Sequence, residues 1–264
     1  MRLEYIDIHS HIHDREFDQD RDAVLARMRE NQVGTIAVGT HHKSSQEAVE
    51  LALKEESVYA AVGLHPTDTR ETFDTEAYKL LAQNKKVVAI GECGLDYFRG
   101  GIDMEEKKRQ GGLFQNQIEL ALSVDLPLMI HGRPSRTSMD AYHDILEILN
   151  SYKNEKGNLR GNVHFFAGDI DIAKKFLDLG FTMSFTGVIT FARDYDEVIR
   201  YIPPNSIMSE TDAPYVAPVP YRGGRNEPVY VIEVVRQIAQ IRREKESLVG
   251  ERLLNNAKSI FLLD

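Results

Sequence analysis

Leu3-Glu4-Tyr5-Ile6-Asp7-Ile8-His9-Ser10-His11 alternates apolar and polar residues and ends in two histidines one residue apart. Alternation at period two is the pattern of a β-strand, in which residues i and i+2 share a face. His9 and His11 are therefore expected to leave the strand's carboxyl end side by side. Two adjacent imidazoles form a chelating pair for a divalent cation. The fold follows from how often this arrangement, a short apolar strand closing in a metal-competent side chain, recurs along the chain.

Residues 34–39, 58–63, 86–91, 126–130, 161–163, 181–185 and 206–209 read as seven further short strands. Between them, residues 18–32, 44–56, 74–84, 105–124, 138–152, 169–179 and 195–201 carry helical periodicity, with Ser44 and Glu47 spaced as a capping box. Two helices follow Pro228, and residues 213–228 read as a long loop over one face. This regular alternation, with no break in composition, points to a single α/β domain over residues 1–264, folded as a parallel TIM (β/α)8 barrel. The chain's 264 residues suit that architecture, which typically takes about 250.

A single cysteine, Cys93, excludes an internal disulfide and a thiolate-rich zinc cluster, so any metal must rest on His, Asp and Glu. Lys and Arg number 32 against 41 Asp and Glu, a net charge of -9, which argues against a broad basic surface for gripping duplex nucleic acid. A nuclease remains compatible with that balance, because bound divalent ions can meet substrate phosphates in place of lysines. No apolar run reaches the roughly 20 residues of a membrane span, and the N-terminus lacks a signal-peptide pattern. A soluble, cytoplasmic protein without a membrane partner is expected.

In a barrel the carboxyl ends of all strands converge on one face. His9 and His11 fall at the end of strand one, His65 after strand three and Glu92 after strand four. His131, His164 and Asp212 follow strands five, six and eight. Three or four ligands satisfy one catalytic ion, so this larger set suits two, with Glu92, central in the order, as the shared carboxylate. Two ions roughly 4 Å apart would acidify a shared water and hold a phosphoryl oxygen, with Asp212 as ligand, water-orienting base, or both. Cys93 should face away from Glu92 as a small buried hydrophobe. Tyr97, Phe98 and Tyr215 are candidates either for base stacking or for packing, and Asp96 for orienting a ligand. His41 and His42 match no motif, and His143 lies in a helical segment.

Asp7-Ile8-His9-Ser10-His11, Gly63-Leu64-His65-Pro66, Gly91-Glu92-Cys93-Gly94-Leu95-Asp96-Tyr97, Leu128-Met129-Ile130-His131 and Glu210-Thr211-Asp212-Ala213-Pro214-Tyr215 together resemble the TatD family of metal-dependent deoxyribonucleases. The likeness runs from Asp7 to Asn256-Ala257-Lys258-Ser259-Ile260-Phe261. It implies a barrel of the amidohydrolase superfamily that binds two divalent metal ions (Mg, Mn or Zn). It also implies hydrolysis of DNA phosphodiester bonds, often from the 3′ end, and because a recessed barrel mouth admits one strand more easily than a duplex, a 3′-5′ exonuclease on single-stranded DNA or frayed ends is expected. Carried onto matching positions, His9, His11, Glu92 and Asp212 would hold one ion and Glu92, His131 and His164 the other. Asp212, Glu92 and His65 would be catalytic, and His65, Arg133, Arg222 and Arg225 would contact substrate.

The chain departs from the family where Phe165-Phe166-Ala167-Gly168 replaces the usual Cys-Phe-Ser/Thr-Gly, where Gly132 replaces Ser, and where Gly224 replaces a common Lys. No departure removes a metal ligand. Two rival functions are an amidohydrolase-type hydrolase of a small amide, lactone or phosphoester, and a metal-binding adaptor without catalysis. Many binuclear amidases bridge their ions with a modified lysine, whereas strand four here ends in Glu92.

Overall fold

Eight parallel strands pair in sequence order: β1 (Tyr5–Ser10), β2 (Val33–Val38), β3 (Val58–Val62), β4 (Val87–Asp96), β5 (Leu128–Arg133), β6 (Gly161–His164), β7 (Thr182–Phe185) and β8 (Ile207–Ser209). The computed structural model that shows this describes residues 2–98, 102–153 and 159–263. Helices α1 (Arg21–Glu30), α2 (His42–Lys54), α3 (Thr75–Ala82), α4 (Met104–Val124), α5 (Asp140–Lys153), α6 (Ile170–Asp178) and α7 (Asp196–Tyr201) connect successive strands, and α8 (Val231–Arg242) and α9 (Glu246–Phe261) complete the chain. The result is a nearly closed TIM barrel, as the strand and helix periodicity predicts.

The strands are buried along almost their whole length because helices cover the outer face. Carboxylates start several helices: Asp74 accepts from the Glu76 and Ala77 amides, Asp103 from Glu106 and Asp169 from Ile172. One apolar core lies between strands and helices. A second gathers Ile6, Ile8, Ile36, Val38, Tyr59, Ala61, Met129 and Met208 with Leu254, Ala257 and Phe261 of α9.

β8 is only three residues long, and side chains help to join it to β1. The buried Asp7 carboxylate accepts from the Thr211 amide at 2.8 Å and the Thr211 hydroxyl at 2.6 Å. Beyond it the Asp212 amide donates to the His9 carbonyl oxygen and the His11 amide to that of Ala213. This seam sets Asp212, at φ +57°, beside the first strand.

Three local expectations are corrected. β4 and β5 run on to Asp96 and Arg133, past the predicted ends at Gly91 and Ile130. Gly91 and Gly94 are close-approach positions within the sheet, where a Cβ would lie 2.4 Å from the Met129 carbonyl oxygen and 2.1 Å from that of His131. His9 and His11 converge with a register shift between Asp7 and Ser10, His11 lying beyond the strand end, so simple alternation does not place them. The Ser44–Glu47 capping box does not form. α2 starts at His42 with His41 as its cap, the Ser44 hydroxyl meets His13 Nε2 at 2.9 Å, and Glu47 faces Lys43.

Gly94→Ala should cost about 3 kcal/mol in chemical denaturation, since φ is +136° and the backbone cannot yield without moving His131. Gly112→Ala, in α4 with nothing within 4 Å, should instead be neutral or stabilising by up to about 1 kcal/mol.

Candidate active site

At the carboxyl ends of the strands the structure gathers His9, His11, His65, Glu92, His131, His164 and Asp212, drawn from positions up to two hundred residues apart. Glu92 lies between two sets of imidazoles. Its Oε1 is 2.7 Å from His131 Nδ1, 3.0 Å from His164 Nε2 and 3.5 Å from His65 Nε2. Its Oε2 is 3.6 Å from His9 Nε2 and 4.0 Å from His11 Nε2. Asp212 Oδ1 completes the second set, 3.5 Å from His11 Nε2 and 3.8 Å from His9 Nε2. A register shift in β4 between Ile90 and Cys93 spans Glu92.

The donor set fits divalent cations. Both ring nitrogens of His9, which is fully buried, lack a hydrogen-bond partner among the described residues, as does Nδ1 of His164. A sealed imidazole with neither nitrogen satisfied is costly, and a cation at Nε2 would satisfy one of the two. Ligand atoms of His9, Glu92 and His164, and of His9, His11 and Asp212, converge within 4.8 Å.

His65, Asp96 and His131 also converge within 4.8 Å, but their hydrogen bonds assign them other roles. The Thr67 amide donates to His65 Nδ1 at 3.2 Å, so that nitrogen carries the lone pair and the neutral ring holds its proton on Nε2. Burial lowers His65 to about 4, which keeps the ring neutral. It is a hydrogen-bond donor facing the cleft rather than a ligand. Asp96 Oδ2 accepts from His131 Nε2 at 3.1 Å, which turns Nδ1 toward Glu92.

Burial alone would raise both acids of the cluster, yet nearby imidazoles reverse the direction. His164 and His131 hold Glu92 well below the ordinary carboxylate range, and His11, with help from His9, lowers Asp212. In return, contact with Asp212 and Glu92 outweighs burial at His11 and lifts it to about 9, and Glu92 with Glu210 raises His164 well above its usual value. Both acids are thus ionised and able to bind metal.

The cleft above has a volume of about 1280 Å³. Thr67 and Arg70 line it from the loop after β3, Arg133 from the end of β5 and Arg136 from the loop beyond it, and Phe165, Ala167, Tyr215 and Val216 from the loops after β6 and β8. Arg133 therefore lies in the cleft, but Arg222 and Arg225 do not line it. Arg222 stacks on Phe191, with its guanidinium 3.8 Å from the ring centroid. Arg225 is bound to Asp20, Glu227 and the Glu16 carbonyl oxygen, which pins its loop to the region before α1. Phe98 and Tyr215 are open to the cleft, whereas Tyr97 is buried and bonded to Asp144. Cys93 points at the carbonyl oxygens of Ile90 and Met129, and burial pushes its thiol up. His42 packs against Tyr78, and His143 is exposed on α5.

Sequence reasoning assigned no role to Glu210 or Asp7. Glu210, fully buried, accepts from the Phe165 amide and the Ser184 hydroxyl and lies 3.4 Å from His164 Nδ1. The signal available was an acid inside an apolar strand (Asp7) or directly after one (Glu210), which needs a partner when buried. The Gly132 and Ala167 departures share a neighbour, Tyr142: a Cβ on Gly132 would lie 2.6 Å from its ring, and its hydroxyl accepts from the Ala167 amide at 2.9 Å.

Glu92→Gln, which removes the charge shared by both sets of imidazoles, should weaken Mn or Zn binding by roughly 100-fold in calorimetric titration. Wild-type affinity in that variant would contradict the geometry.

Known proteins resemble this chain along almost its whole length. A family model described as TatD related DNase matches residues 6–262. The chain is 35% identical to the metal-dependent hydrolase YabD of Bacillus subtilis (strain 168), covering 98% of this chain and 99% of that one. It is 32% identical to the metal-dependent hydrolase YcfH of Escherichia coli (strain K12), over 98% and 96%. The crystal structure of YjjV, a TatD homolog from Escherichia coli K12, superposes with a TM-score of 0.87 at 30% identity, covering all of both chains. The chain belongs to the TatD family, a family of metal-dependent hydrolases.

Proposed function

We propose that this protein hydrolyses DNA phosphodiester bonds in a divalent-metal-dependent reaction, as a 3′-5′ exonuclease on single strands or frayed ends. The observation that carries the proposal is the division of Glu92, whose two oxygens face different imidazoles, so that its carboxylate would be available to two cations. His9, His11, Asp212 and Glu92 would hold one ion, and Glu92, His131 and His164 the other. Two such ions (Mg, Mn or Zn) supply Lewis acidity toward a phosphoryl oxygen and make a water more acidic.

The remaining roles belong to the chain's own side chains. Asp212, kept ionised by the imidazoles around it, orients the attacking water and takes its proton at a carboxylate oxygen. His65 donates its Nε2 hydrogen to a non-bridging phosphate oxygen, and as a neutral group it does so without drawing the Glu92 charge away from the ions. Arg133 meets the phosphate through its planar guanidinium. Tyr215, half exposed at the cleft, offers a stacking face to a base.

The cleft volume supports a polymeric substrate. About 1280 Å³ exceeds the roughly 300–1,000 Å³ of pockets that enclose a small molecule, which weighs against a lactone or small amide. The recessed carboxylate and imidazole cluster supports a single strand, because an unpaired strand can bend a phosphate into the barrel mouth and a duplex cannot.

Single-stranded DNA labelled at the 3′ or 5′ end, incubated with Mg, Mn or Zn, should shorten progressively from the 3′ end. EDTA should abolish this, and Asp212→Asn should lower kcat by about 100-fold or more. Intact oligonucleotides under all three metals, with turnover of a lactone or dihydropyrimidine instead, would move the protein to the rival class.

A further inference from the structure

Beyond the reacting centre, the cleft carries two guanidinium groups that form no ion pair among the described residues. Arg70 is held by Asp68, but Arg133 and Arg136 form no ion pair. Both sit near one aromatic ring instead: the Arg133 guanidinium is 3.9 Å and that of Arg136 5.7 Å from the centroid of Phe98. Arg133 acts on the Asp96 carboxylate, whereas Arg136 has no such counter-charge among the described residues, which in a chain of net charge -9 marks a place for an anion.

The group is built from anchored parts. The Phe98 amide donates to Asp96 Oδ1 at 3.0 Å, the carboxylate whose other oxygen orients His131. The Tyr97 amide donates to the Arg133 carbonyl oxygen at 2.7 Å, tying both arms of the platform together. Arg136 precedes Thr137, a β-branched residue at φ +60°, a conformation such residues rarely accept, while Ser135 is bonded twice to Asp140. Phe98 is 36% exposed, and an arginine stacked on a ring keeps its N–H edges free for a second acceptor.

We infer that Arg136 and Phe98 form a flanking subsite that takes the phosphodiester and base next to those at the reacting centre. The cleft then engages two consecutive phosphates and selects oligonucleotides over single phosphodiesters. The inference rests on the nuclease proposal and deepens it. A phosphate supplies the pair of non-bridging oxygens that a planar guanidinium binds through two N–H groups, and a base supplies the face that an exposed phenyl ring accepts without regard to sequence.

The test compares kcat/KM on a short single-stranded oligonucleotide with that on a dinucleoside monophosphate, over a range of salt concentrations. Arg136→Ala should lower the ratio of the two about tenfold and reduce the salt slope of oligonucleotide KM by about one. Arg136→Lys should restore the slope, and Phe98→Ala should lower the ratio about tenfold while leaving the slope alone. Thermal melts check that the variants fold. Equal loss on both substrates, no loss on either, or an unchanged slope in Arg136→Ala would overturn the subsite while the nuclease proposal stands. A wild type that cleaves neither substrate would remove that proposal and the subsite together.

Discussion

One buried carboxylate organises the catalytic face. Glu92 is almost sealed from solvent, a position that an isolated acid would leave by taking up a proton. It stays ionised because imidazoles approach each of its oxygens, and those imidazoles in turn gain a counter-charge they would otherwise lack. Removing either partner leaves a charge buried without compensation, so the cluster is held together more strongly than any one of its contacts suggests. The same donors would suit a divalent metal, since both ring nitrogens of His9 lack a hydrogen-bond partner among the described residues.

The barrel delivers these groups by local irregularity more than by regular geometry. His9 lies within a register shift of β1, and Glu92 lies within another in β4. Gly91 and Gly94 bring β4 against the backbone of β5, so that His131 reaches Glu92 on one side and Asp96 on the other. The seam between β8 and β1 depends on Asp7, which binds Thr211 and thereby sets its neighbour Asp212. Two glutamines of α4 add a further constraint. Gln117 holds both polar atoms of the Leu64 backbone and Gln110 both of Asp96, which fixes the approach of His65 and of the carboxylate behind His131.

Much of this was legible in the sequence, and the limits have physical causes. The order of strands and helices was readable because buried parallel strands are continuous apolar runs and their helices carry a clear period. The ligand candidates were readable because a barrel converts the ends of strands into neighbours. Arg225 was misplaced because its role is set by Asp20 and Glu227, and the first of these is two hundred residues away. The Ser44 cap failed for a similar reason: His13, from another loop, takes the hydroxyl.

The sequence by itself determined the architecture, the family and the identity of the metal-competent residues, because these depend on periodicity and on residue types at strand ends. Only the tertiary structure decided how the residues divide their work. Whether His65 is donor or ligand turns on the Thr67 amide at its Nδ1, and whether Asp96 supports His131 turns on a 3.1 Å contact across two strands. Such roles depend on which nitrogen or oxygen faces which neighbour. Those directions are set by register shifts, left-handed residues and packing between distant segments, none of which leaves a periodic trace in the chain.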